Sequence, residues 1–244
     1  MKKLIVKEKM STELKQFFFE EMTRFKVIFI DEKTKSSAGY NLPFYGDFRR
    51  LISSPKLLKG VGEEMGTIAN RLGADVLASA SMSGDAWTAS ASIGSGIPCV
   101  LLRKELPHHG EQSIILGEKP SKKNKIILIE DGIGSAGQAK KFILNMQNEG
   151  YQIKTILAIF DCMEGNGEKE KLEFLKEEKV TLHYLFRLQE YFDFLSDRSL
   201  ISKEFKEIIF DWLNDPASWG EGSKKWDWYG EEKKNGNIWI KYNL

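Results

Sequence analysis

Two adjacent carboxylates, Glu130 and Asp131, follow the apolar run Ile126-Ile-Leu-Ile129 and precede the small-residue run Gly132-Ile-Gly-Ser-Ala-Gly137. Small loop residues at a helix start leave backbone N–H groups free to donate to phosphate oxygens. Gly134, Ser135, Ala136, Gly137 and Gln138 would form that cradle, with Gly132 and Ile133 leading into it. Carboxylates just before a cradle suit the hydroxyls of a ribose or a bound Mg²⁺. One short segment thus offers a ribose site beside a phosphate site. The plain alternative is a strand-to-helix turn with a solvated acid pair and no ligand.

A second chemistry fits the same residues. Gly132, Gly134 and Gly137 spell G-x-G-x-x-G between a strand and a helix, and Asp161 ends the next apolar run. That is the outline of a dinucleotide fingerprint. Two details argue against it. The acid pair sits where pyrophosphate would approach, and Asp161 lies 24 residues beyond Gly137, somewhat further than the usual spacing of roughly 20.

Upstream residues break the tie. Arg103-Lys-Glu-Leu-Pro-His-His-Gly-Glu111 and Leu42-Pro-Phe-Tyr-Gly-Asp-Phe-Arg-Arg-Leu-Ile-Ser-Ser-Pro55 join the acid–glycine segment in one order. The three blocks together resemble the type I phosphoribosyltransferases, most closely the orotate group. Its flexible loop runs Arg-Lys-Glu to His-Gly, and it carries a Pro-Tyr-x-x-Asp-x-Arg segment ahead of a Ser-x-Pro helix start. The resemblance covers roughly residues 10–215.

The resemblance implies transfer of a phosphoribosyl group from phosphoribosyl pyrophosphate to a base, orotate first, with Mg²⁺ as cofactor. It implies that Glu130 and Asp131 hold the ribose hydroxyls and that Asp131 steadies the positive charge building on the ring. Residues 134–138 would bind the 5-phosphate, with Gly132 and Ile133 in the same phosphoribosyl pyrophosphate site. Arg103, Lys104 and His109 would meet the pyrophosphate, with Lys104 among the catalytic residues, on a loop that reaches a neighbouring subunit; this implies a homodimer. The plain reading of that loop is a solvated basic turn. Gly134 and Cys162 fall at base-contacting positions. The residues do not assign metal ligands.

Several positions depart from the family pattern. Pro107 stands where the family has a second loop lysine, and proline supplies no cation. Gly134 replaces the first threonine of the phosphate loop, and Cys162 an arginine that contacts orotate. The segment 79–87, matching a pyrophosphate loop, lacks most of the family's glycines and carries Asp85. The ribose-phosphate half is intact, while the leaving-group and base halves are eroded. These losses favour two alternatives: a different base, or a regulator that binds phosphoribosyl pyrophosphate without turnover. Cys162 alone reads as a small core residue rather than a nucleophile.

The elements that must hold these residues follow from periodicity. Of 244 residues, 41% are hydrophobic and 29% charged, with net charge +1, which describes an ordinary globular chain. A near-neutral balance gives no support for a nucleic-acid or membrane partner. No apolar stretch approaches the roughly 20 residues that cross a bilayer. Two cysteines, Cys99 and Cys162, make no disulfide framework; the expectation is a reducing cytoplasm and no signal peptide.

Residues 11–24 read as a helix capped by Ser11, 26–30 as a strand, and 55–72 as a helix opened by Pro55. Strands then read at 76–80, 99–103, 114–116, 126–129, 155–160 and 181–185, with helices near 88–94, at 138–148 and at 169–178 between them and at 201–213 after them. Alternation with apolar strands predicts an α/β fold with a central, mostly parallel sheet flanked by helices. A type I phosphoribosyltransferase-like domain would span 1–215, with hood elements over about 11–50. Residues 216–244 form a Trp-rich extension with Trp219, Trp226, Trp228 and Trp239. It reads as an aromatic lid packed on the core rather than a base-stacking surface. Asn235-Gly236 suggests a hairpin there.

Overall fold

The computed structural model describes residues 3–30, 35, 41–79, 82–102, 115–162 and 168–242. A short strand β1 (Ile5–Lys7) precedes helix α1 (Thr12–Arg24), whose Ser11 cap accepts from the Leu14 N–H at 3.1 Å. A ribbon of β2 (Ile28–Phe29) and antiparallel β3 (Tyr45–Gly46) follows, then a 3-10 helix (Phe48–Ser53). Helix α2 (Pro55–Arg71) starts where the sequence says: Ser54 caps it, and Pro55 takes a first-turn place where its missing N–H costs nothing.

Strand and helix then alternate through β4 (Val76–Ser79), α3 (Met82–Ser95), β5 (Cys99–Leu102), β6 (Ile115–Leu116), β7 (Ile126–Ile133), α4 (Gly137–Asn148), β8 (Ile153–Asp161), α5 (Lys169–Glu177) and β9 (Thr181–Arg187). Helices α6 (Leu188–Asp197), α7 (Lys203–Asn214) and α8 (Lys224–Lys234) come last.

Seven strands form one sheet in the order β1-β9-β8-β7-β4-β5-β6. Every pairing in it is parallel except β5 with β6. Period-two alternation splits the core. Ile127 and Ile129 of β7 join Phe18, Leu57 and Trp87 on the face covered by α1, α2 and α3. Ile126 and Leu128 join Phe142, Ile143 and Phe174 on the face covered by α4 and α5. Burial on both faces is why these strands read as unbroken apolar runs.

Several elements differ from the expectations, among them the short β3 and the 3-10 helix after it. β1 supplies an edge strand that three residues were too few to announce. α3 begins at Met82, so most of the segment matched to a pyrophosphate loop is helical. α6 follows β9 with no Gly or Pro between them. Asn235-Gly236 is a helix stop, not a hairpin. Gly236 has φ +75°, and the Asn237 N–H donates to Glu232 O at 2.9 Å, closing α8 in the left-handed conformation that glycine adopts freely. The alternation around Trp239 leaves only a single bridge, Ile240 with Ile201.

In the extension, Trp219 is fully buried and donates Nε1–H to Asp211 Oδ2 at 2.9 Å, whereas Trp228 lies at the surface. Among the described residues, no helix is long and apolar enough to cross a membrane.

Candidate active site

The carboxyl ends of parallel strands are where α/β sheets bind ligands, and β7 carries its acid pair there. The strand runs further than its apolar residues: Glu130 pairs with Ala158, Gly132 with Phe160 and Ile133 with Asp161. Glu130 and Asp131 therefore sit on rigid sheet rather than on a loop. Glu130 is buried and Asp131 half-buried. The Gly132 N–H donates to Asp131 Oδ1 at 2.9 Å. Burial pushes the Asp131 pKa upward; the Gly132 N–H, the Ser83 hydroxyl and the charge of Arg49 hold back that rise.

Beyond the strand, Ala136 adopts φ 65°, ψ 12° as the N-cap of α4 and gives no side-chain cap. A left-handed alanine costs about 1–2 kcal/mol, and such strain collects at ligand sites. Here it turns the chain sharply, leaving the first-turn N–H groups of α4 without a capping side chain. That turn also holds no acidic residue. An anion at this point meets both the N–H groups and the positive end of the helix dipole.

Residues 130–139 and Ser83 enclose a cavity of about 180 Å³. Glu130, Asp131, Gly132, Ile133, Gly134, Ser135, Ala136, Gly137 and Gln138 are thus brought together as the sequence suggests. Cys162 adjoins them without lining the cavity: its N–H donates to Ile133 O at 2.8 Å. Burial drives its thiol pKa far above the ordinary value, as expected of an unreactive core thiol. Both cysteines are free. Arg103, Lys104, Pro107 and His109 lie outside the described residues.

Asp85 occupies the first turn of α3, where a helix dipole favours an acid, and does not line the cavity. The dinucleotide reading fails at Asp161. That carboxylate is fully buried, ion-paired with the equally buried Lys171 and 3.7 Å from Arg187. It is not available to a ribose.

Sequence reasoning gave no role at the acid pair to Ser83, in the 79–87 segment, or to Arg49, in the Asp-x-Arg block. Ser83 reaches Asp131 from the start of α3. Arg49 comes from the 3-10 helix and acts on Asp131 by its charge. Neither is near the acid pair in sequence, and only the pairing of β4 with β7 brings α3 there.

The chain is an α/β protein with two acids at a strand end and, one turn beyond, an uncapped helix start suited to an anion. No family model matches the chain. It is 30% identical over 154 residues to the orotate phosphoribosyltransferase of Methanospirillum hungatei, covering 63% of this chain and 84% of that one. It is 27% identical over 214 residues to the enzyme of the same name from Phocaeicola vulgatus, covering 86% and 98%.

Among solved structures, the UMP synthase of Leishmania donovani superposes with a TM-score of 0.70 at 16% identity, over 83% of this chain. The match spans only 42% of that longer protein. The orotate phosphoribosyltransferase of Aeropyrum pernix gives 0.58 at 20% identity, over 73% of this chain and 98% of its own. The chain belongs to the type I phosphoribosyltransferases, a family of glycosyltransferases, on their orotate phosphoribosyltransferase branch.

Proposed function

We propose that the protein is a Mg²⁺-dependent orotate phosphoribosyltransferase, joining orotate to phosphoribosyl pyrophosphate to give orotidine monophosphate and pyrophosphate. The observation that carries this reading is the acid pair on β7 directly before the uncapped start of α4. Residues 134–138 hold the 5-phosphate through N–H groups, and Ser135 adds a hydroxyl. Glu130 and Asp131 accept from the ribose hydroxyls. As the bond from C1 to pyrophosphate breaks, positive charge grows on the ring, and the fixed Asp131 carboxylate stabilises it. Pyrophosphate leaves with the electron pair of that bond, and the base nitrogen bonds to C1 as it gives up its proton to water.

Arg103, Lys104 and His109 are assigned to the departing pyrophosphate on the resemblance of their block. On the same ground two copies pair, each loop serving the other's site; the two free cysteines suit a reducing cytoplasm. Hard carboxylate oxygens suit Mg²⁺, which commonly takes one or two carboxylates together with substrate oxygens and water. Glu130 and Asp131 would hold it, and it would offset charge on the leaving group.

The neutral thiol of Cys162 favours a second reading, transfer to a different base. Purified protein given Mg²⁺, phosphoribosyl pyrophosphate and each common nucleobase in turn, scored for pyrophosphate, tests both. Release with orotate is the expected result, and release with another base alone overturns the orotate assignment.

A further inference from the structure

The C-terminal extension grips the segment that carries Arg49. The Tyr229 hydroxyl donates to Pro43 O at 2.9 Å, and Tyr229 is 2% exposed. Trp212 Nε1–H donates to Asn41 O at 2.7 Å, and the Asn41 side-chain amide donates to Trp219 O at 3.3 Å. Residues 41–43 are therefore clasped through three hydrogen bonds by α7, α8 and the turn between them.

From this clasp the chain runs straight to the site. Tyr45 and Gly46 pair with β2, and the Asp47 N–H donates to Val27 O at 2.7 Å. Phe48 then packs on Phe160, ring centroids 4.2 Å apart, two residues before Cys162. Arg49 comes next. Its Nε–H donates to Asp47 Oδ1 at 2.7 Å, which orients it, while its side chain stays 58% exposed. Phe48 thus brings Arg49 to the carboxyl end of β8, and the Arg49 charge acts on Asp131. The orotate resemblance puts the base half of the site at this end of the sheet, where Cys162 supplies no cation.

We propose that Arg49 is a specificity-determining residue that pairs with the anionic edge of the base, and that Tyr229 of the C-terminal extension is a positioning residue that holds it there. The proposal rests on the orotate reading. Arginine suits the task because its planar fork matches a carboxylate in two parallel hydrogen bonds. The clasp matters because residues 41–46 lead straight into the 3-10 helix that carries Arg49, so anchoring them joins the Arg50 bonds to Phe25 O and Lys26 O in fixing its backbone. Fixing its backbone lowers the ordering cost of binding.

The test is a double-mutant cycle in the full chain, Arg49→Gln, Tyr229→Phe and both together, read as KM for orotate, KM for phosphoribosyl pyrophosphate, kcat and melting temperature. Tyr229→Phe keeps the ring and its contact with Trp226. We expect Arg49→Gln to raise the orotate KM about tenfold or more, as for loss of a charge-assisted pair. The KM for phosphoribosyl pyrophosphate should not move. Tyr229→Phe should raise the orotate KM in the same selective way, by less. The double variant should match Arg49→Gln, since an effect routed through Arg49 cannot add to its removal.

Additive effects, equal movement of both KM values, or a fall in melting temperature without a KM change would overturn the proposal while orotate turnover stands. Orotate bound without turnover gives the same cycle as calorimetric Kd values. Turnover with a neutral base only, or no binding of orotate, overturns the orotate reading and this proposal together.

Discussion

At Gly132 the absence of a side chain fixes the approach of two strands. A Cβ there would lie 2.1 Å from Phe160 Cε2. Phe160 is itself wedged by Phe48 and Phe186, so the ring cannot retreat. Gly132→Ala should destabilise the fold by at least about 2 kcal/mol, the scale of forced overpacking, and weaken ribose 5-phosphate binding, since the cradle begins two residues later. Phe160→Leu in the same chain should recover part of both. Thermal melts and calorimetric titration of ribose 5-phosphate check it, and an alanine variant as stable as the parent would show that the ring has room. Asp131→Asn tests the neighbouring carboxylate. It keeps the shape and removes the charge, so turnover should fall by about 10²-fold or more in a folded protein. Unchanged turnover would leave Asp131 a structural acid. These residues were legible in the sequence because acid, glycine and helix start are contiguous. Ser83 and Arg49 reach the same carboxylate from elsewhere in the chain, and no local pattern announces that meeting.

Elements were legible in proportion to how much of their burial their own sequence records. Helices α1 and α2 read to within a residue or so, because Ser11 and Ser54-Pro55 mark their starts. The apolar cores of β7, β8 and β9 read correctly, but their ends did not. Polar Glu130, Asp131, Asp161 and Arg187 continue those strands because the ladder, not the side chain, keeps them there. β1 and α6 escaped notice for a related reason: tertiary partners supply what their sequences lack. Glu190 shows how. It receives Lys7 Nζ at 2.7 Å, Lys15 Nζ at 3.1 Å and the Arg187 N–H at 2.7 Å. One carboxylate thus joins β1, α1 and the start of α6. Burial disfavours its charge, yet the bonds from Lys7, the Arg187 N–H and Lys15 outweigh that, and its pKa lies below the ordinary 4.5. A carboxyl group with a lowered folded-state pKa adds stability above its unfolded pKa and loses it as pH falls through the folded value. Glu190→Gln should therefore cost about 1–2 kcal/mol at pH 7. The gap to the parent should narrow as pH drops below 4.5. Urea melts across pH 7 to pH 3 measure it; a gap constant over that range would mean that the charge plays no part.

Across the whole molecule, sheet order is set by pairings between residues far apart in the chain, so alternation announced a parallel sheet but not the sequence β1-β9-β8-β7-β4-β5-β6. The same holds for the extension. Four tryptophans in a polar stretch signal packing, yet nothing local says against what. Trp219 and Tyr229 belong to the same buried cluster as Phe18, Ile129 and Leu185. Trp212, Trp219 and Tyr229 bind the 41–43 segment on one side, while Trp219 bonds to Asp211 on α7. An extension built into the main core in this way should not melt as a separate unit. Trp219→Ala empties a fully buried site, and removal of so large a ring costs about 3–5 kcal/mol. That loss should appear as a lower midpoint for the entire protein. Tryptophan fluorescence and far-UV circular dichroism followed through urea unfolding should therefore coincide in the parent chain, and coincide again, at lower urea, in the variant. A fluorescence transition that precedes the loss of helix and strand would show instead that the extension opens independently, and the clasp on residues 41–43 would then be too weak to hold Arg49 in place.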